Sequence, residues 1–200
     1  MQLCQLTGDA LPTAGEISFL ESTSILDVQP SSLGLDKAAV FFSDSPQFRY
    51  APPEDLIDLH SGVICVPNNF AYDEPMPVGC VRLTALANYD RWSRLAPDSY
   101  REAKRRCYHS MAASATRYVP VFQRSVVAND VFTPTTIRRF TGHENGAVYG
   151  CPEKQYDGRT HLENLLLCGT DQGLVGIVGT LLSGISIANR YVLKDEGQTM

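Results

Sequence analysis

Near its C-terminal end the chain gathers residue types that suit ligand chemistry: Gly169, Asp171, Gly173, Gly176 and Gly179, inside "LLLCGTDQGLVGIVGTLLSGISIANRY". An aspartate where a strand gives way to a helix can accept hydrogen bonds from a ligand's hydroxyls. Glycines there let the start of a helix press against a flat ligand without Cβ interference. The unpaired N–H groups and the positive dipole end of such a helix stabilise developing negative charge. The same pattern also suits a terminal strand and helix that close a core, with glycine allowing close packing. The local residues leave these two readings side by side.

Two other readings of the stretch are weaker. A dinucleotide fold needs GxGxxG after a strand, then a helix, a second strand and an acidic residue about 20 positions on. Here the spacing is GxxGxxG, and between the helix and Met200 there is no room for that second strand. A membrane span has the charge-free interval from Asp171 to Arg190 in its favour. That interval approaches the roughly 20 apolar residues a span needs. Gln172, Thr180, Ser183, Ser186 and Asn189 dilute it, and its glycines weaken a helix, so a buried helix is the expectation.

Elsewhere the chemistry is sparse. Cys4, Cys65, Cys80, Cys107, Cys151 and Cys168 are scattered without a CxxC pair, which speaks against a structural zinc site and a disulfide framework. Reduced, mostly buried thiols in a cytoplasmic protein are expected. His109 and His143 are acid–base candidates by residue type alone. Arg101, Lys104, Arg105 and Arg106 form a basic cluster that reads as a solvated helix face, with attraction to an anionic membrane surface as the sharper alternative.

The elements that must position these residues follow from periodicity and punctuation. Strands are expected over 16–26, 37–44, 61–69 and 80–89, with a proline-initiated short helix or turn at 51–59 and a proline-rich loop at 73–79. A long helix is expected over 97–120, with Ser99 and Glu102 at capping-box spacing. Its apolar face would carry Tyr100, Ala103, Cys107, Met111, Ala115 and Tyr118. Thr133 before Pro134 starts a short helix that Gly142 stops. "NGAVYG", 145–150, reads as a small strand, "CPEKQYDGRTHLE" as a polar loop, and "NLLLCG" as a strand. Strands with few, well-separated helices make an α+β fold.

At 44% hydrophobic and 20% charged the composition is that of a globular protein, and the net charge of -5 does not point to nucleic acid. The N-terminal "MQLCQLTGDALPTAGE" has no basic start followed by an apolar run, so no secretory signal is expected.

"NDVFTPTTIRRFTGHENGAVYG" and "DGRTHLENLLLCGTDQGLVGIVGTLLSGISIAN", together spanning 129–189, resemble the C-terminal part of the phytoene desaturase group. That group comprises carotenoid desaturases, carotenoid isomerases and retinol saturase-like reductases among the amine-oxidase-like FAD enzymes. Upstream, "GEISFLES", "SGVICVPNNF" and "RLTALANYDRW" are compatible with its substrate domain. The resemblance implies an antiparallel substrate-domain sheet with a helix over 1–125. It implies the C-terminal strand–helix piece of an FAD-binding domain over 126–200, the whole being part of a larger two-domain fold. FAD is then the implied cofactor. Gly169 and Asp171 would lie at its ribityl or diphosphate part, and Gly176, Ile177 and Val178 beside the isoalloxazine. Gly146 and Tyr149, in "GAVYG", would lie near the flavin and a polyene tunnel. The implied chemistry is hydride exchange with an apolar isoprenoid or polyene, or its isomerisation, at peripheral contact with a membrane. No protein nucleophile is needed, because the cofactor carries the reaction. The family's N-terminal GxGxxG unit is missing from these residues, so the expectation is either that a partner chain supplies that half or that the chain is a truncated, non-catalytic fragment, with a membrane-associated module as the further alternative.

Overall fold

The computed structural model describes residues 13–47 and 49–193. Cys4 and most of the N-terminal segment read for a signal lie outside the described residues. The chain divides into two compact units, Glu16–Val148 and a second formed by Tyr149–Met200 with Met1–Gly15.

The first unit is built on five antiparallel strands: β1 (Ser18–Leu26), β2 (Ala39–Ser43), β3 (Ser61–Cys65), β4 (Gly79–Ala87) and β5 (Val126–Phe132). Their order across the sheet is β2-β3-β4-β1-β5. β1 and β4 pair along their whole length, from Ser18 opposite Ala87 to Leu26 opposite Gly79. This pairing is the centre of the sheet, and it follows from sequence. β1 alternates in burial at every residue, so Leu20 and Leu26 face the core while Glu21 and Thr23 face outward. On the outward face Glu21 accepts from Arg82 Nε at 2.7 Å and from the Thr84 hydroxyl at 3.1 Å, a cross-strand tie that fixes register.

Among the described residues the α-helices are α1 (Tyr89–Ser93), α2 (Pro97–Ala115), α3 (Pro134–Thr141) and α4 (Gly176–Ile187). α2 lays Ala103, Cys107, Tyr108, Met111, Ala112 and Ala115 into the core beside Leu20, Ile64, Val81 and Phe122. Tyr108 donates to or accepts from the buried Ser24 hydroxyl at 2.9 Å, so the helix is tied to β1 by a hydrogen bond inside the apolar contact. α2 begins at Pro97 with Ala96 as its N-cap, and no side chain caps it. The expected capping box of Ser99 and Glu102 therefore does not form, because proline at the first position shifts the start; Glu102 pairs with Arg105 instead. α3 starts and stops as its sequence directs, with Thr133 as N-cap in a capping box with Thr136 and Gly142 in the left-handed conformation at φ 72°.

The fold is thus α+β, with an open antiparallel sheet and helices. β5 and α3 belong to the same compact unit as residues 16–125. "NGAVYG" is not a strand. A 3-10 turn, Glu144–Gly146, runs into it, with positive φ at both Asn145 and Gly146, which no strand accommodates. "NLLLCG" is not a strand either: within it only Leu166 makes a single bridge, to Arg159. That bridge is closed by Leu167 N–H, which donates to Gly158 O at 2.7 Å.

The described residues of the second unit carry a 3-10 turn, Thr170–Gln172, and α4, which runs on into a π-helical turn over Ala188–Val192. No helix among the described residues is long and apolar enough to cross a membrane.

Candidate functional site

The glycine-rich stretch is a turn followed by a helix. Gly169, Gly173 and Gly176 all have positive φ, at 97°, 101° and 76°, so three positions in eight residues use the one residue type for which this backbone conformation costs little. A Cβ at Gly169 or Gly176 would meet nothing within 4 Å. At these two positions glycine is required by backbone conformation, and open space lies outside it.

The turn is held to α4 by a buried polar relay. The Ser183 hydroxyl accepts from Gly169 N–H at 2.6 Å and donates to Gln172 Oε1 at 2.5 Å. Gln172 Nε2 in turn donates to Tyr156 O at 3.1 Å. Ser183 is fully buried and Gln172 nearly so, and each of these groups is satisfied, as burial demands.

Asp171 sits in the 3-10 turn. Its Oδ1 accepts from Cys151 N–H at 2.7 Å, and its carbonyl accepts from Gln155 N–H at 2.9 Å. Half of its carboxylate therefore anchors the 150–155 loop, and Oδ2 makes no hydrogen bond among the described residues. Gly150, at φ 71°, is what lets the loop come so close: a Cβ there would stand 2.0 Å from Oδ1.

α4 begins without a side-chain cap, so its first N–H groups have no side-chain acceptor. Thr180 Oγ1 turns back to the carbonyls of Gly176 and Ile177 at 3.0 and 2.9 Å. Beyond the uncapped start the helix presents bare hydrocarbon: Ile177 is 81% exposed, Val178 69% and Leu181 65%, with Leu182 and Ile185 also exposed. Only Ser183 and Ile187 of this helix are buried.

The residues expected at a cofactor thus fall in two places. Gly169, Asp171, Gly176, Ile177, Val178 and Tyr149 belong to the second unit, and the first five of them form one turn and helix start. Tyr149 is 40% exposed, and its carbonyl accepts from Lys154 Nζ at 2.5 Å. Gly146 belongs to the first unit, where it is buried against α3: a Cβ would lie 2.2 Å from Pro134 O. Its own carbonyl accepts the Ser18 hydroxyl at 2.7 Å. Packing alone accounts for glycine there.

The acid–base candidates are not poised. His143 Nδ1 is engaged with Ala147 O at 2.9 Å, and His109 lies exposed on α2 with its ring edge-on to Tyr108. The basic cluster of α2 is largely paired: Arg101 with Asp98, Arg105 with Glu102, and Lys104 with Asp130 at 3.6 Å. Arg106 makes no ion pair among the described residues. No group of three metal-ligating side chains occurs among the described residues. No known family model matches the chain.

Proposed function

We propose that this chain provides the cap of a flavin site and a substrate-side sheet of an FAD-dependent oxidoreductase acting on an isoprenoid or carotenoid-like polyene, in the manner of the phytoene desaturase group. The observation that carries the reading is the start of α4. An uncapped helix end, an exposed apolar first turn and two left-handed glycines with open space beside them occur together. A flat, partly anionic ring system matches that combination. The resemblance across 129–189 supports the same assignment.

The residues fit the group in specific ways. Gly176 gives clearance, and the first N–H groups of α4 offer donors to an electronegative ring edge. Ile177 and Val178 cover an apolar ring face. Asp171 Oδ2 is available to a ribityl hydroxyl, while Oδ1 keeps the carboxylate in place through Cys151. When bound, the flavin would exchange hydride with the polyene, which relieves the protein of nucleophilic duty. Without GxGxxG among these 200 residues, the diphosphate must be held by residues outside them.

Equilibrium dialysis of the purified chain against FAD tests the reading. Saturable retention at a Kd of about 100 μM is expected for a cap without its cradle, equivalent to roughly 5 kcal/mol. No retention up to about 1 mM removes the flavin role. It leaves a non-catalytic interaction module, a reading that the bare Ile177–Ile185 face of α4 favours by itself.

A further inference from the structure

The first unit contains a cleft of about 840 Å³, a volume in the range of small-molecule sites. Its floor is apolar, formed by Leu56, Ile57 and Leu59 from the segment before β3, by Leu95 after α1, and by Cys107 of α2. Burial pushes the Cys107 thiol up to about 11, so at neutral pH it is an uncharged wall and not a nucleophile. The rim is charged. Arg91 and Arg94 stand on the α1 side and Arg106 on the α2 side, with Asp55 and Asp90 also lining the cleft.

The rim charges do not cancel. Arg94 lies 4.0 Å from Asp90, which leaves Arg91 and Arg106 without ion-pair partners among the described residues, against the single carboxylate of Asp55. One net positive charge remains over an apolar floor, in a protein whose net charge is -5. Arginine is weakly hydrated and matches an oxyanion in bidentate fashion, so it suits a charged head at the edge of an apolar slot. Asp55 disfavours a second negative charge on the same ligand.

We propose that this cleft binds a small monoanionic amphiphile: a carboxylate or phosphate-monoester head held by Arg91 and Arg106, with its hydrocarbon body over Leu56, Leu59 and Leu95. The site lies in the sheet unit and does not depend on the flavin reading. The cleft is wired to a natural reporter. Trp92, the one tryptophan of the chain, donates from Nε1 to Leu56 O at 2.9 Å, so a ligand that moves the Leu56 wall changes the indole's hydrogen bond.

The test is a titration of Trp92 fluorescence in the full chain with octanoate, octyl phosphate, octanol and inorganic phosphate. Saturable binding of octanoate or octyl phosphate is expected, with octanol and inorganic phosphate each at least about tenfold weaker, since each lacks half of the recognition. The ranking of the two anionic probes tells a carboxylate head from a phosphate head. The variant with Arg91→Gln and Arg106→Gln should lose about tenfold for the anionic probes and keep octanol binding unchanged. The single variant Arg106→Gln, at an exposed side chain, should lose about threefold. Arg101→Gln with Arg105→Gln, on the same helix outside the cleft, should change nothing. Failure of both anionic probes to bind, octanol binding as tightly as octanoate, or wild-type affinity in the Arg91/Arg106 variant overturns the proposal.

Discussion

Three serines, Ser18, Ser22 and Ser24, point from β1 into the core, and they are not equivalent. Ser18 donates to Gly146 O and Ser24 shares a hydrogen with the Tyr108 hydroxyl, but Ser22 Oγ is buried with no partner among the described residues. An unpaired buried hydroxyl carries a desolvation cost with nothing to offset it. Ser22→Ala should therefore be neutral to about 1 kcal/mol stabilising in urea unfolding, whereas Ser24→Ala, which orphans Tyr108, should destabilise by about 1–2 kcal/mol. Local reasons are legible at the ends of α3 but not at the start of α2, where the Ser99 and Glu102 capping box does not form. Thr133, Pro134 and Gly142 act within their own helix, and each does what its type directs. Gly146 was assigned by resemblance to a cofactor contact, because its visible packing reason, the Pro134 carbonyl, lies across a turn that no short-range pattern encodes.

At the scale of elements, the sequence reads β1 to β4 and the long helix where apolar residues recur at a clear period, but not β5, whose burial does not alternate. It misreads "NLLLCG", where a continuous apolar run makes one bridge and no strand, with Leu165 itself 39% exposed. A short apolar run has no period to distinguish a strand from an irregular segment. α4 poses the same problem in reverse: it was expected as a buried helix, yet most of its apolar side chains are exposed. This makes a direct prediction. Leu181→Ser should change unfolding free energy by no more than about 0.5 kcal/mol, because the side chain has little packing to lose. A loss of several kcal/mol would mean that the face is covered within the chain itself.

At the scale of the whole molecule, the core belongs to the sheet unit. Leu20, Ile64, Val81, Trp92 and Phe122 are buried around β1, β4 and α2, while the second unit has a polar relay and, among the described residues, Ile187 as its one buried aliphatic. Local opening is cheapest where few apolar contacts resist it. Native-state hydrogen exchange should show amides of Ser18–Leu26 and Gly79–Ala87 exchanging only through global unfolding. Those of Gly176–Ile187 should exchange at least about 100-fold faster. Composition and strand spacing were enough to recognise an α+β fold. The division between Val148 and Tyr149 is not legible, since β5 joins the sheet unit through pairing with β1 that is remote in sequence, and α3 follows β5 in that unit.

The central claim is that the start of α4 faces a flavin. Its most direct test is quenching of FAD fluorescence by the wild-type chain and by Val178→Glu, with Val192→Glu as the control at an exposed position beyond the same helix. The account predicts saturable quenching by wild type and by the Val192 variant at a Kd of about 100 μM, weakened at least tenfold by Val178→Glu. Equal quenching by all three proteins, or none by wild type, would contradict it.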